Sequence, residues 1–71
     1  GISEDAYVKL TIYDLMGREI LQLVNSFQPI GNKSVKWNGL NKNGEPLSAG
    51  VYIYKIQAGN FIDTKKMILL K

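Results

Sequence analysis

The side chains that could do chemistry in this sequence are oxygen donors, because the 71-residue chain contains no cysteine and no histidine. Those two residues are the commonest nucleophiles, general bases and metal ligands. The segment NKNGE places Asn41, Asn43 and Glu45 around Gly44, like the middle of an oxygen-rich calcium loop. An EF-hand loop also needs an acidic first position, a glutamate at its twelfth position and flanking helices, which are missing here. The segment therefore favours a tight hairpin turn at Asn43-Gly44 over a calcium site.

Carboxylates offer a second possible chemistry, in which Asp14 with Glu19, or Asp63 with Glu45, would form a glycosidase pair. Such a pair needs a cleft that holds two carboxyl groups about 5–9 Å apart around a sugar. A domain of this length has little room for a cleft, so we expect Asp14 to cap its own turn instead. The sequence predicts a protein that is not an enzyme and holds no metal or cofactor.

Alternating tyrosines in VYIYKI offer a third possible function, ligand binding, since Tyr52 and Tyr54 could stack on sugars or bases. Tyrosines that alternate on a strand more commonly form core contacts and cross-strand pairs. A carbohydrate-binding appendage that uses Tyr52, Tyr54 or Trp37 stays open as an alternative.

The distribution of charge argues against nucleic acid as a partner, and the lengths of the apolar runs argue against insertion into a membrane. The net charge is +3 and the isoelectric point is about 9.3, but the lysines are scattered and form no block typical of nucleic-acid binding. No apolar run approaches the ~20 residues that span a bilayer, so no membrane insertion is expected. Lys65 and Lys66 could form a dibasic protease site or contact a phosphate, although a solvated strand start that discourages edge pairing is the simpler interpretation.

The elements that must position these residues are predicted to be strands. YVKLTIY alternates, with Val8, Leu10 and Ile12 on one face, and REILQLV is interpreted as a strand rather than a short helix. NSFQPIGN is predicted as a loop, KSVKW as a strand with Val35 and Trp37 inward, VYIYKI as the strongest strand, and FIDTKKMILLK as its antiparallel return. About six to seven short strands, with turns every eight to twelve residues, predict an all-β fold, a small antiparallel β-sandwich.

The closing segment DTKKMILLK is apolar on both faces, because Met67 and Leu69 alternate with Ile68 and Leu70. A strand that is apolar on both faces suits a position covered on both sides. One face can be covered by the core of the domain. The other face needs a cover that a chain of this length cannot readily supply.

Three stretches together, VKLTIYDLMGREI, VKWNGLNKNGEPLSAGVYIYKI and KKMILLK, resemble the C-terminal sorting domain (type A) of type IX secretion cargo in Bacteroidetes. The middle pattern also resembles the immunoglobulin-like module of flagellar hook-capping proteins. The matching positions are the turn and core residues and the terminal segment. They are Tyr13, Asp14, Gly17, Trp37, Asn38, Gly39, Gly44, Gly50, Val51 and Tyr52, with Lys65, Lys66, Met67, Ile68, Leu69, Leu70 and Lys71 at the end.

The resemblance implies an immunoglobulin-like fold and a signal rather than a catalyst. Residues 1–71 would be a single C-terminal sorting domain of a longer secreted protein. The outer-membrane secretion machinery would recognise it in the periplasm, and a cell-surface sortase would remove it or exchange it for surface attachment. Residues 65–71 would be the recognised segment.

One departure from the family pattern affects the expected assembly. Members usually have an opening strand before the segment SEDAYVKL, of which Ile2 alone could be a remnant. A missing strand exposes backbone and an apolar strip. We therefore expect the chain to form a homo-oligomer through an open strand edge.

Overall fold

The computed structural model describes residues 5–29 and 36–70, which form one antiparallel sheet of four strands. The strands are β1 (Ala6–Tyr13), β2 (Glu19–Gln28), β3 (Gly50–Ala58) and β4 (Phe61–Leu69). Their order across the sheet is β2-β1-β3-β4. The predicted all-β fold is thus confirmed, and the described residues contain no helix able to cross a bilayer.

β1 is a central strand, and its alternating sequence explains where the core lies. Val8 and Ile12 are 4% and 2% exposed and lie on the same face of the sheet. Thr11 points to the opposite face and is also buried, because Gln22 of β2 and Lys55 of β3 flank it on both sides. A strand with a neighbour on each side can bury a small polar residue even on its more open face.

β2 confirms the strand interpretation of REILQLV and continues beyond it. The residues Asn25 to Gln28 were predicted as loop, but they pair with the first half of β1, from Lys9 back to Ala6. The loop prediction for them was wrong because ladder hydrogen bonds outweigh the turn preference of Asn25 and Ser26.

β3 and β4 form a hairpin closed by the two residues Gly59 and Asn60. Gly59 has a φ of 61°, while no described residue other than glycine has a positive φ. Glycine at the first position of a two-residue loop is typical of a type II′ turn, whose twist matches the strands. The pairing continues without a register shift from Ala58 and Phe61 to Gly50 and Leu69.

One face of the sheet, which we call the covered face, bears Ile12, Tyr52 and Leu69 and lies beneath residues 36–49. These residues, the Trp37 loop, contain one isolated bridge, between Leu40 and Pro46, and no strand. Pro46 cannot donate to a ladder, which is one reason why strand pairing stops there.

The described residues therefore differ from the expected sandwich in their covering layer. They contain four strands in one sheet rather than six to seven in two. Trp37, predicted to lie in a strand, belongs to a loop because the chain turns directly after it. Gly39 has a φ of 77°, and the Asn38 side chain accepts a bond from the Leu40 N–H at 3.1 Å. Val35 of that predicted strand lies outside the described residues, as do Ile2 and Lys71.

Candidate functional site

The Trp37 ring attaches the loop to the covered face. Its centroid lies 5.4 Å from that of Tyr52, with the planes 76° apart, the edge-to-face geometry that aromatic pairs prefer. The Trp37 indole N–H donates to the carbonyl of Leu40 at 2.9 Å, and the Tyr52 hydroxyl donates to the carbonyl of Ser48 at 2.7 Å. Tyr52 is 8% exposed. Its ring is therefore part of the core and has no free face for a sugar.

Gly39 brings the Trp37 loop into contact with the end of β4. Gly39 is buried and has a φ of 77°. A Cβ atom built at this position would lie 3.1 Å from Cδ1 of Leu69. The close approach holds Leu69, the last residue of β4, against the covered face. Gly50, where β3 begins, pairs with the same Leu69.

A shallow groove of about 560 Å³ lies beside the loop and is lined by Leu21, Leu23, Trp37 and Leu40 among others. Trp37 is half-buried there. Tyr54 is half-buried on β3 and does not line this groove. The three aromatic residues considered for carbohydrate binding therefore do not form one platform.

The turn after β1 is organised by a carboxylate. Asp14 Oδ1 accepts bonds from the backbone N–H groups of Met16 and Arg18, both at 2.9 Å. Its Oδ2 accepts a bond from Nε of Arg18 at 2.8 Å. Gly17 has a φ of 85°, which permits its own N–H to bond the carbonyl of Asp14. Asp14 thus caps its own turn.

The turn in the Trp37 loop has the same design. Asn41 Oδ1 accepts bonds from the N–H groups of Asn43 and Glu45, both at 2.9 Å, and Gly44 has a φ of 81°. The Asn41 amide donates to the Glu45 carboxylate at 3.1 Å. This bond takes the place of the ion pair between Asp14 and Arg18 in the first turn. This likeness was missed in the sequence, although both turns have Asp or Asn three residues before a glycine.

Local contacts occupy several of the oxygens that were considered for chemistry. The Asn41 side-chain oxygen faces two backbone donors, and a Glu45 oxygen accepts a bond from the Asn41 amide. Asp63 lies on β4 and forms an ion pair with Lys65 at 3.8 Å. The described residues contain no cluster of three or more acidic side chains that could hold a metal ion.

Arg18 and Met16 also set the charge state of Asp14. The backbone N–H of Arg18 lowers the pKa of Asp14 below its ordinary value of 3.8. Partial desolvation opposes this effect, and the Arg18 side chain and the Met16 N–H support it. A lowered pKa in the folded state means that the ionised carboxylate stabilises the fold above the unfolded pKa, and that this contribution is lost as the pH falls through the folded pKa.

Asp14→Asn is expected to lower the melting temperature at neutral pH, because the amide keeps one acceptor but loses the charge that Arg18 contacts. The difference from the wild type should shrink as the pH falls below the ordinary Asp value, where the wild type loses its carboxylate too. Thermal melts followed by circular dichroism over this acid range measure both effects. Glu19→Gln, which removes a charge next to the turn, serves as control and should keep the wild-type pH profile. A constant difference at all pH values would contradict the assignment.

The terminal segment lies on β4 with its side chains alternating between the two faces. Met67 and Leu69 are half-buried on the covered face, while Ile68 is 69% exposed on the opposite, open face. Leu70 follows the strand and is 82% exposed. Lys65 and Lys66 are both exposed and point to opposite faces. One face of this segment therefore contributes to the core and the other is open.

The two edges of the sheet differ in regularity. In β2, Ile20 and Leu23 have no Cα partner in β1, which marks two bulges that interrupt the edge. β4 pairs with β3 along nine residues without a shift. Bulges discourage pairing with a further strand, whereas a regular edge permits it. Among the described residues no strand covers the outer side of β4.

The hairpin turn determines which β4 groups face outward. In a two-residue hairpin the residues that flank the loop form a hydrogen-bonded pair, here Ala58 and Phe61. Bonded and non-bonded pairs alternate along an antiparallel ladder. The outward backbone N–H and C=O groups therefore belong to the alternate residues Ile62, Thr64, Lys66 and Ile68. In agreement, the Thr64 N–H donates to the Asp63 side chain at 3.0 Å.

Comparison with known families shows a match to the FlgD Ig-like domain over residues 2–61. No curated protein and no solved structure matches the chain significantly. The matched range covers β1, β2, the Trp37 loop and β3, and ends at the first residue of β4. It supports the hook-capping, immunoglobulin-like part of the resemblance seen in the sequence. Since the match covers most of the chain, this chain belongs to the FlgD Ig-like domain family.

Proposed function

We propose that this chain is a non-catalytic immunoglobulin-like structural module that joins a larger assembly by pairing a strand with the free edge of β4. The contrast between the two edges carries this proposal, because β2 is interrupted by bulges and β4 is regular. In strand addition, backbone hydrogen bonds provide affinity and alternate side chains provide specificity. Ile62 and Ile68, 58% and 69% exposed, would provide side-chain contacts on the open face.

The positions of the polar groups support a role without catalysis. Asp14 and Asn41 are occupied in organising turns, and Tyr52 is in the core. The β4 edge offers backbone donors and acceptors instead. For the complete module we propose the six- to seven-stranded sandwich typical of immunoglobulin-like domains, in which further strands add to the four described here.

Thr64→Pro in a longer protein that carries this module, here called the parent protein, tests this proposal. Proline removes the outward N–H of Thr64 and its local bond to the Asp63 side chain, but no bond to β3, and edge positions tolerate it. Assembly of the parent protein, followed by size-exclusion chromatography with light scattering, should be lost. Thr64→Val keeps the N–H and the β-branched shape, so it should assemble like the wild type. Assembly that survives Thr64→Pro in a folded protein would refute a role of this edge.

A sorting signal for type IX secretion is the second candidate, favoured by the open face of β4. Exposed Ile68 and Leu70 lie beside Lys65 and Lys66, which together form the terminal segment named by the sequence resemblance. On this proposal the module is exported, is read in the periplasm by the outer-membrane secretion machinery, and is processed by a surface sortase at the cell surface.

A reporter fused to residues 1–71 in a host with the type IX system tests the second candidate. The reporter should reach the medium or the cell surface, and deletion of residues 66–71 should retain it inside the cell. Ile68→Ser with Leu70→Ser keeps the β4 backbone and removes only exposed apolar side chains, so it should reduce export without unfolding the module. Ile62→Ser is the matched control at the other end of β4. Export that survives the deletion would exclude this signal.

A further inference from the structure

We infer that the strand which pairs with β4 is β4 of a second copy of this chain, in an antiparallel register centred on Thr64. The inference rests on the proposed function, since it names the partner of the same edge. Two antiparallel edge strands are related by a two-fold axis perpendicular to the sheet. When this axis passes between the two copies of Thr64, each residue lies opposite the residue of the other copy whose number makes the sum 128. The two sheets would form one continuous sheet with their covered faces on the same side.

The backbone satisfies this register. Thr64 has its N–H and C=O directed outward. In the pair its N–H exchanges the Asp63 side chain, to which it donates at 3.0 Å in the single chain, for the C=O of the other Thr64. Two copies of Thr64 opposite each other then share two hydrogen bonds. Ile62 and Lys66 are also outward residues and lie opposite each other in both halves of the pair. Each outward donor between Ile62 and Lys66 therefore meets an outward acceptor, which is what a continuous antiparallel ladder requires.

The charges on the covered face select the same register. Asp63 and Lys65 lie on one side of β4, where they form an ion pair at 3.8 Å within the strand. Their side chains are 42% and 62% exposed, so both are accessible to a partner. In the register centred on Thr64, Asp63 of each copy lies directly opposite Lys65 of the other copy. The two copies would bring together four alternating charges, and opposite charges across strands stabilise pairing.

The neighbouring positions in this register are complementary as well. Phe61, 59% exposed, lies opposite Met67 of the other copy and forms an apolar pair on each side of the charges. On the open face, the aliphatic stem of Lys66 lies along exposed Ile62, and Thr64 lies opposite Thr64. Threonine pairs across strands are themselves favourable.

The symmetric registers centred on the charged residues of β4 place like charges together. A register centred on Lys65 or on Lys66 sets that lysine opposite its own copy, and one centred on Asp63 sets two carboxylates opposite each other. Like charges directly opposite destabilise a strand pair. The first of these registers gains apolar pairs such as Ile62 with Ile68, so charge is the property that separates it from the Thr64 register.

Charge reversal tests the register by sedimentation velocity over a concentration series of the 71-residue chain. The wild type should form a reversible dimer. Asp63→Lys and Lys65→Asp should each raise the dimer Kd by about tenfold, because each converts two opposite pairs into like pairs. The double variant D63K/K65D should return the Kd to within about threefold of the wild type, since the pairs are restored with their signs exchanged. Glu19→Lys and Lys42→Asp change the net charge equally elsewhere and should leave the Kd unchanged.

The outcomes separate this inference from the proposed function. A wild-type chain that is monomeric throughout would overturn the second copy as partner. The proposed edge would still stand if Thr64→Pro abolished assembly of the parent. Suppose that Thr64→Pro abolishes the dimer, while Asp63→Lys, Lys65→Asp and D63K/K65D leave its Kd unchanged. This result would overturn the register but not the second copy as partner. The register is supported if both single variants weaken the dimer and D63K/K65D restores its Kd.

Discussion

Trp37→Ala is expected to lower the free energy of unfolding by about 3 kcal/mol, near the lower end for a large aromatic truncation because the ring is half-buried. The substitution removes the edge-to-face contact with Tyr52 and the bond to the Leu40 carbonyl. A domain of 71 residues has about 4–11 kcal/mol of stability at ordinary values per residue. The loss should lower the melting temperature by roughly 12–24 °C.

Thermal and urea unfolding followed by circular dichroism measure this effect. Trp37→Phe keeps a six-membered ring against Tyr52 but loses the indole N–H and the volume of the five-membered ring, so it should cost about 1–2 kcal/mol, less than Trp37→Ala. Phe27→Ala removes an aromatic ring that is 64% exposed and should change stability by less than about 0.5 kcal/mol. Equal effects of Trp37→Ala and Phe27→Ala would show that the loop does not hold the covered face together.

Gly39→Val is expected to destabilise the fold by about 2–4 kcal/mol through two additive costs. A β-branched residue at a φ of 77° is strained. Its side chain would also meet Leu69, whose Cδ1 lies 3.1 Å from the position of the new Cβ. Because Leu69 anchors the end of β4, the substitution should also increase hydrogen exchange in that strand.

Gly44→Val separates the two costs. Gly44 has nearly the same φ, 81°, but nothing lies within 4 Å of a Cβ at that position. It should therefore show the strain without the collision. Leu69→Ala in the Gly39→Val background should cost less than it does in the wild type, since it removes the atoms that collide. Identical free energies of unfolding for the two valine variants would refute the contact between the loop and β4.

Alternation in the sequence was sufficient to predict most strands. β1 and β3 have apolar residues at every second position, and the two-residue turn at Gly59 joins strands of matching pattern. Local pattern failed in two places. Asn25 to Gln28 are strand because the N-terminal half of β1 pairs with them. Trp37 is outside any strand because the chain turns directly after it, at Asn38 and Gly39.

The features of β4, the candidate site, could be predicted in part, because alternation in the sequence assigns its side chains to two faces. The alternation of Met67 and Leu69 with Ile68 and Leu70 predicted one face in the core and a second apolar face that needs a cover. In the structure Met67 and Leu69 are half-buried, while Ile68 and Leu70 are exposed. The difference between the two edges could not be read from the sequence. It depends on the bulges at Ile20 and Leu23, which arise from the register of β2 against β1. Cross-strand partners are a property of the fold, and no local motif specifies them.

Amide hydrogen exchange along β4 tests the central claim, that the free edge of this strand is where the module assembles. In the monomeric chain the outward amides of Ile62, Lys66 and Ile68 should exchange rapidly, and the amides bonded to β3, such as that of Lys65, should exchange slowly. The Thr64 amide, which donates to the Asp63 side chain, should exchange at an intermediate rate. On assembly the outward amides should become protected, while the amides on the β2 edge stay unchanged. Assembly that leaves the outward β4 amides unprotected, or that protects the β2 edge instead, would contradict the account.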